Sequence, residues 1–317
     1  MKKFMYILPL VLLAMAGFAV IAHGDAHSAQ YKTSAVCIMC HKNTDKVIVE
    51  AYQASPHAKS MQKADAEGAI VGDFAANTAF TKDKVAFVLG KGHYQQAYLD
   101  ANFQVLPAEW DVKTKTWKPT EAVDGATKCI GCHQTGYDAA KKTSAQLGVG
   151  CESCHGPGSE HMASTDRKTT IVNPKNLDIA KQSMVCGQCH SDGHDLVMVE
   201  DKPAPGKLSF PVAFRPGDDL PKCFLDAKPT TVGRNRQYSE FITSKHSKIL
   251  SCVTCHDPHN VSTNPAQLKK PVNELCMGCH AAKIVDIKTH APSAAADATC
   301  ATCHMPNGQH NFAKPGG

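Results

Sequence analysis

The chain opens with one apolar run and then loses any sustained hydrophobic period. Residues 4–22 form the run, preceded by Lys2 and Lys3 and interrupted by Pro9 and Gly17. A basic start, an apolar stretch and small residues beyond it make the layout of a secretory signal over 1–22, with cleavage expected at 22/23 or 26/27. The run's 19 residues would also serve as a membrane anchor if left uncleaved, and no other stretch could span a bilayer. Further on, residues 45–63 predict a short helix broken at Ser55-Pro56. Residues 84–118 predict strands: 85–89, a turn at Gly90 and Gly92, then 94–99 and 103–110. Pro203, Pro205, Pro211, Pro216 and Pro221 make 202–221 an irregular stretch. Residues 235–250 predict a helix, and the C-terminal tail is expected to be flexible.

The cysteines explain why so little periodicity is left. Fourteen of the 15 fall into seven Cys-x-x-Cys pairs, each followed directly by His. The seven motifs are Cys37-Cys40-His41, Cys129-Cys132-His133, Cys151-Cys154-His155, Cys186-Cys189-His190, Cys252-Cys255-His256, Cys276-Cys279-His280 and Cys300-Cys303-His304. Two thiols at this spacing add to the two vinyl groups of one haem, and the next residue sits under the iron, where an imidazole nitrogen binds it. Zinc or a redox disulfide would also use paired cysteines, but neither requires a His at the following position. Seven coincidences are negligible at the ordinary frequency of His. Seven covalently bound haem c groups are expected, with His41, His133, His155, His190, His256, His280 and His304 as proximal iron ligands. Haem is attached outside the cytoplasmic membrane. Export to the periplasm or the cell exterior therefore fits the motif count.

Composition then bounds the fold. Only 6% of residues are aromatic, and removing 22 residues leaves 295, or about 42 per haem. Such a chain has little apolar mass for an ordinary core, and the porphyrins would supply it. The expected fold is mostly irregular, with short α-helices and a small β-hairpin region, organised around a stacked haem chain. The motifs cluster at 129–190 and 252–304, with the first standing alone. An N-terminal haem region over 23–200 (haems 1–4), an irregular connector over 201–235 and a C-terminal haem region over 236–317 (haems 5–7) are expected to form one continuous unit. The formal charge of +5 falls to +3 without Lys2 and Lys3. Two propionates per haem would take it to roughly −11 reduced, and seven ferric cores back to roughly −4 oxidised. The basic sequence is thus no argument for nucleic acid, and no Lys/Arg block or stacking pattern supplies one.

The sixth iron ligand decides between carrier and catalyst: a second His gives a low-spin haem suited to electron transfer, an open position suggests catalysis. Of 17 His, seven are proximal, and His23 and His27 lie beside the cleavage region. The distal candidates are His57, His93, His161, His194, His246, His259, His290 and His310. A His close in sequence to a proximal His cannot easily reach the opposite face of the same haem. His161, His259 and His310, three to six residues after a proximal His, should bind neighbouring irons and force haems together.

Several segments carry a resemblance. Ser55-Pro56-His57-Ala58, Gly90-Lys91-Gly92-His93-Tyr94, Val105-Leu106-Pro107 with Trp110-Asp111, Gly150-Cys151-Glu152-Ser153-Cys154-His155-Gly156-Pro157-Gly158, Ser244-Lys245-His246, Cys255-His256-Asp257-Pro258-His259 and Cys303-His304-Met305-Pro306 resemble the cytochrome c-554-related multihaem cytochromes. The resemblance covers most of 31–313. It implies mainly bis-His haems, stacked in parallel and perpendicular pairs, acting in anaerobic or extracellular respiration with redox partner proteins or a quinol-linked enzyme. It implies distal roles for His57, His161, His246, His259, His290 and His310, then His93, with His194 the weakest match. Some related proteins form extracellular filaments in which a His of one subunit binds a haem of the next, and eight candidates for seven haems leave that open.

The rival reading is a multihaem oxidoreductase of the nitrite or hydroxylamine type with one open haem. Nitrite reductases of that kind replace one motif His by Lys, and no Cys-x-x-Cys-Lys occurs here. Tyr94, Tyr98 and Arg215 could be assembled into a site, but such residues are more often core or surface. An electron carrier is favoured over an enzyme. Cys223 is left over; an unpaired thiol in an exported protein suggests an intermolecular disulfide or a buried small hydrophobe, and burial is expected here rather than a disulfide or an iron ligand.

Overall fold

The computed structural model describes residues 29–92, 94–200, 202–226, 236–281 and 286–312. The expected signal, its cleavage points and His93 lie outside these residues. No helix among the described residues is long and apolar enough to cross a membrane.

Each Cys-x-x-Cys-His motif sits on or beside a single short helix. α1 (Ser34–Thr44) carries motif 1 and leads into α2 (Lys46–Ala54). Motif 3 is the helix Cys151–His155, motif 5 lies on Cys252–Cys255, motif 6 ends Val272–His280 and motif 7 is Cys300–His304. The helical period explains this: residues three and four apart share a face, so one turn aligns two thiols and the imidazole. Ser251 and Thr299, directly before motifs 5 and 7, form capping boxes with Thr254 and Thr302.

Between motifs 1 and 2 lies a five-stranded antiparallel sheet: β1 (Met61–Lys63), β2 (Phe87–Leu89), β3 (Gln95–Leu99), β4 (Ala108–Asp111) and β5 (Thr116–Pro119), in that order. The expected helix over 45–63 therefore ends at Ala54, and its last three residues pair as β1 with β2. Ser55-Pro56 is the reason, since a residue before proline is pushed to extended backbone. The strand expected over 103–110 is shorter and later, because Phe103 has φ 65° and turns the chain before it enters β4. Val85, Val88, Tyr98 and Trp110 are buried on one side of the sheet, with Phe74, Phe80 and Trp117 against them. Met61, Leu89 and Leu99 are buried with Ile130, which lies in the spacer of motif 2, so the sheet seats that motif directly.

The connector is more ordered than its prolines suggest. Gly193–Val199 pairs with Lys202–Pro205 on one side and Phe224–Asp226 on the other, making a three-stranded sheet beside motif 4. Proline is tolerated there because Lys202–Pro205 is an edge strand. The helix expected over 235–250 is only Gln237–Phe241, followed by turns and a 3-10 turn at His246–Lys248. From Cys252 to Phe312 no described residue is buried. That C-terminal stretch makes no core of its own described side chains.

Candidate functional site

The structure brings six of the distal candidates face to face with six of the motif histidines. His41 faces His161 with ring centroids 6.3 Å apart, His57 faces His190 at 6.2 Å, and His155 faces His259 at 6.3 Å. His246 faces His280 at 6.0 Å, His256 faces His310 at 6.0 Å, and His290 faces His304 at 6.1 Å. A coordinating imidazole nitrogen sits about 2 Å from a transition metal and its ring centre roughly 1 Å further, so two rings sharing an ion have centroids about 6 Å apart. All six pairs meet that spacing, which fits an iron between them.

His161, His259 and His310 each face the proximal His of a different motif, whereas His290 faces His304, the histidine of the motif it precedes. Among the described residues no imidazole lies across from His133. His194 belongs to none of the pairs. It stands opposite Leu225 in the strand Gly193–Val199, with a buried Nδ1 that has no hydrogen-bond partner.

The outer ring nitrogens are held. His133 Nδ1 bonds the Ser60 carbonyl at 3.1 Å, His155 that of Val172 at 2.8 Å, and His256 that of Ala266 at 2.9 Å. His190 Nδ1 bonds Gln237 Oε1 at 3.2 Å, His161 the Arg167 carbonyl at 2.8 Å, and His310 the Gly308 carbonyl at 2.8 Å. Each bond requires the proton on Nδ1 and leaves the Nε2 lone pair for a metal, the arrangement that orients imidazole ligands. Burial, then the neighbouring His190, pushes His57 down to about 4, and burial lowers His155, His190 and His256. These rings are neutral at neutral pH, as a metal ligand must be.

The motifs also pack against one another. The helix of motif 1 packs on that of motif 3, the helix leading into motif 4 on that of motif 5, and the helix of motif 6 on that of motif 7. Cys132 Sγ of motif 2 lies 3.9 Å from the carbonyl of Gln188 in motif 4. Motif 3 touches motif 4 through Gln188 Nε2, which donates to the Ser153 carbonyl at 2.9 Å. None of the 15 cysteines is paired in a disulfide. No group of three or more His, Cys, Asp or Glu among the described residues converges as a structural zinc requires.

Four supporting residues had only weak signals in the sequence. Glu152 is 1% exposed, and its carboxylate accepts from the backbone N–H of Lys32, Thr33 and Gly158 at 2.7 to 2.9 Å. It staples the strand of chain before motif 1 onto motif 3. Asp45 accepts from His41 Nδ1 at 2.9 Å. Glycines in two spacers admit rings: a Cβ on Gly131 would lie 2.1 Å from Phe210, and one on Gly187 2.7 Å from Tyr238. Cys223 is half-buried beside Phe214, Leu220, Phe224 and Tyr238 and donates to the Leu220 carbonyl. Burial pushes its thiol up to about 11. Of the residues weighed for an enzyme site, Tyr98 is fully buried and bonded to Gln96, Arg215 lies over the Tyr31 ring, and Tyr94 is exposed.

The sequence model for cytochrome c554 and c-prime matches residues 92–156, and that for a doubled CXXCH motif matches 246–285. The chain is a multihaem c-type cytochrome. The multiheme cytochrome MtrA of Shewanella baltica (strain OS185) is 28% identical over 193 residues, covering 50% of this cytochrome and 54% of that protein. The match thus spans about half the relative's length. The fold is similar to that of the outer cell wall cytochrome OcwA, with a TM-score of 0.70 and 20% identity over 89% of this chain and 79% of that one. It is also similar to an undecaheme cytochrome from the S-layer of Carboxydothermus ferrireducens, with a TM-score of 0.56 and 22% identity over 90% and 52% of the two chains. The cytochrome binds haem c through its CXXCH motifs.

Proposed function

We propose that this cytochrome carries seven haems and transfers electrons along them between redox partner proteins, in anaerobic or extracellular respiration, after export to the periplasm or cell exterior. The observation that carries this reading is the set of six facing imidazole pairs at 6.0–6.3 Å. Bound haem supplies a one-electron iron centre, and two imidazoles per iron keep it low-spin in both oxidation states. The chain's own residues do the rest. Seven thiol pairs anchor the groups. His161, His57, His259, His310, His246 and His290 close the sites of motifs 1, 4, 3, 5, 6 and 7. His93 is the remaining candidate for motif 2.

The packing of the motif helices sets the motifs in a series. Motif 1 adjoins 3, motif 4 adjoins 5, and motif 6 adjoins 7, while the Gln188–Ser153 hydrogen bond joins motif 3 to motif 4. His246, six residues before motif 5, faces His280 of motif 6, so motif 6 follows motif 5. Motif 2 joins at motif 4 where Cys132 meets the Gln188 carbonyl. A run of adjoining sites suits conduction through the molecule, with motifs 1, 2 and 7 as its ends.

Low-temperature electron paramagnetic resonance with a carbon monoxide test on the reduced protein checks the reading. The angle between two axial imidazole planes sets the splitting of the iron d orbitals, so parallel and crossed pairs give different low-spin signals. Four pairs are near-parallel, at 16–29°, and two are crossed, at 74° and 85°. The expected spectrum has a rhombic class from motifs 1, 3, 5 and 7, a strongly axial class from motifs 4 and 6, and no carbon monoxide adduct at any of these six. High-spin signals at those sites would overturn it. A filament subunit is the second reading, favoured by the surplus His194. Size-exclusion chromatography of the native protein distinguishes it, since a filament elutes far above the monomer.

A further inference from the structure

We propose that Asp45 is a positioning residue that lowers the reduction potential of the haem at motif 1 by making His41 a more electron-rich ligand. This rests on the haem-binding reading above.

The argument is local. His41 and Asp45 are four residues apart at the C-terminal end of α1, where the helical period puts them on one face. The Asp45 backbone N–H bonds the His41 carbonyl at 2.7 Å, which fixes the spacing, and the side chains meet at 2.9 Å between Nδ1 and Oδ2. The His133, His155, His190 and His256 rings instead donate to neutral oxygens, three backbone carbonyls and one amide. A carboxylate draws the Nδ1 proton further than a neutral oxygen does, so negative charge builds on the imidazole and its Nε2 becomes a stronger donor. A stronger donor favours the ferric over the ferrous iron, and outer hydrogen bonding is one of the protein's means of setting haem potentials. His161, across the same site, donates to a neutral carbonyl, so among the described residues Asp45 supplies the one carboxylate hydrogen-bonded to this pair.

A second residue fixes the expected sign. Thr44 Oγ1 donates to the same Oδ2 at 2.6 Å and competes with His41 for its charge. Removing that hydroxyl should deepen the effect of Asp45, whereas neutralising Asp45 should abolish it. Motif 1 is one end of the series of motifs, so the residue acts where electrons enter or leave.

The test is a spectroelectrochemical titration of purified holoprotein, with haem counted by pyridine haemochrome and spin state by paramagnetic resonance on the same samples. In Asp45→Asn one-seventh of the haem absorbance change should move to a higher potential while the rest stays in place. Asp45→Glu, which keeps the charge, should restore much of the wild-type curve. Thr44→Val should move the same fraction the opposite way. A variant with seven low-spin haems and an unshifted curve overturns the role of Asp45 and leaves the haem reading standing. A wild-type protein with fewer haems, or a high-spin haem at motif 1, overturns the haem reading itself.

Discussion

Glu152 shows how much a single side chain organises here. It occupies a motif spacer, a position where the chemistry of haem attachment asks for nothing in particular. Its buried carboxylate nonetheless collects three backbone N–H donors, two from a distant segment and one from the turn that follows its own helix. Such bonds to a charged acceptor are stronger than neutral ones, and a buried donor left without a partner costs about 1–3 kcal/mol. Glu152→Ala is therefore expected to destabilise the holoprotein by on the order of 3 kcal/mol, read as a lower denaturant midpoint in urea. Glu152→Gln keeps one acceptor oxygen and should lose less. The segment around Glu152 was legible as part of a resemblance. Its partners Lys32 and Thr33 were not, because they lie some 120 residues away and contribute only backbone.

At the scale of elements, two motif helices are built around glycine. Gly131 and Gly187 fill spacers of motifs 2 and 4, and the rings of Phe210 and Tyr238 rest where a Cβ would stand. Overpacking a filled site costs about 1–3 kcal/mol. Gly187→Ala should push Tyr238 off motif 4, lowering the thermal midpoint and the haem yield on expression, and the haem content per chain measures it. The spacer glycines are visible in the sequence, but the rings are not, since each comes from a segment with no periodic signal of its own. The sheet β1–β5 was half legible. Its alternating residues marked the region, yet β1 was read as the end of a helix, because the three residues of Met61–Lys63 carry no pattern that distinguishes the two. Pairing with β2 decided it.

For the whole molecule, the distribution of buried side chains makes a prediction. Val88, Tyr98, Leu99 and Ile130 are buried to 0% exposure around the sheet, whereas no described residue from Cys252 to Phe312 is buried. That C-terminal stretch has no apolar core among its described side chains, and the bound porphyrins would have to provide it. A chain expressed without haem attachment should therefore show hydrogen-exchange protection confined to residues 61–130 and the segments around Phe214, Leu220, Phe224 and Tyr238, and none beyond 252. Protection throughout the apo chain would refute the dependence of folding on haem. The sequence alone determined the chemistry: seven thiol pairs with their histidines are covalent and local, set by a spacing that one helical turn enforces. It also yielded the pool of second histidines. Which histidine meets which motif was decided only by the tertiary structure. His310 faces the histidine of motif 5 and His290 that of motif 7, because imidazoles pair across space where helices pack, and with so little hydrophobic periodicity no sequence pattern records how these short helices pack.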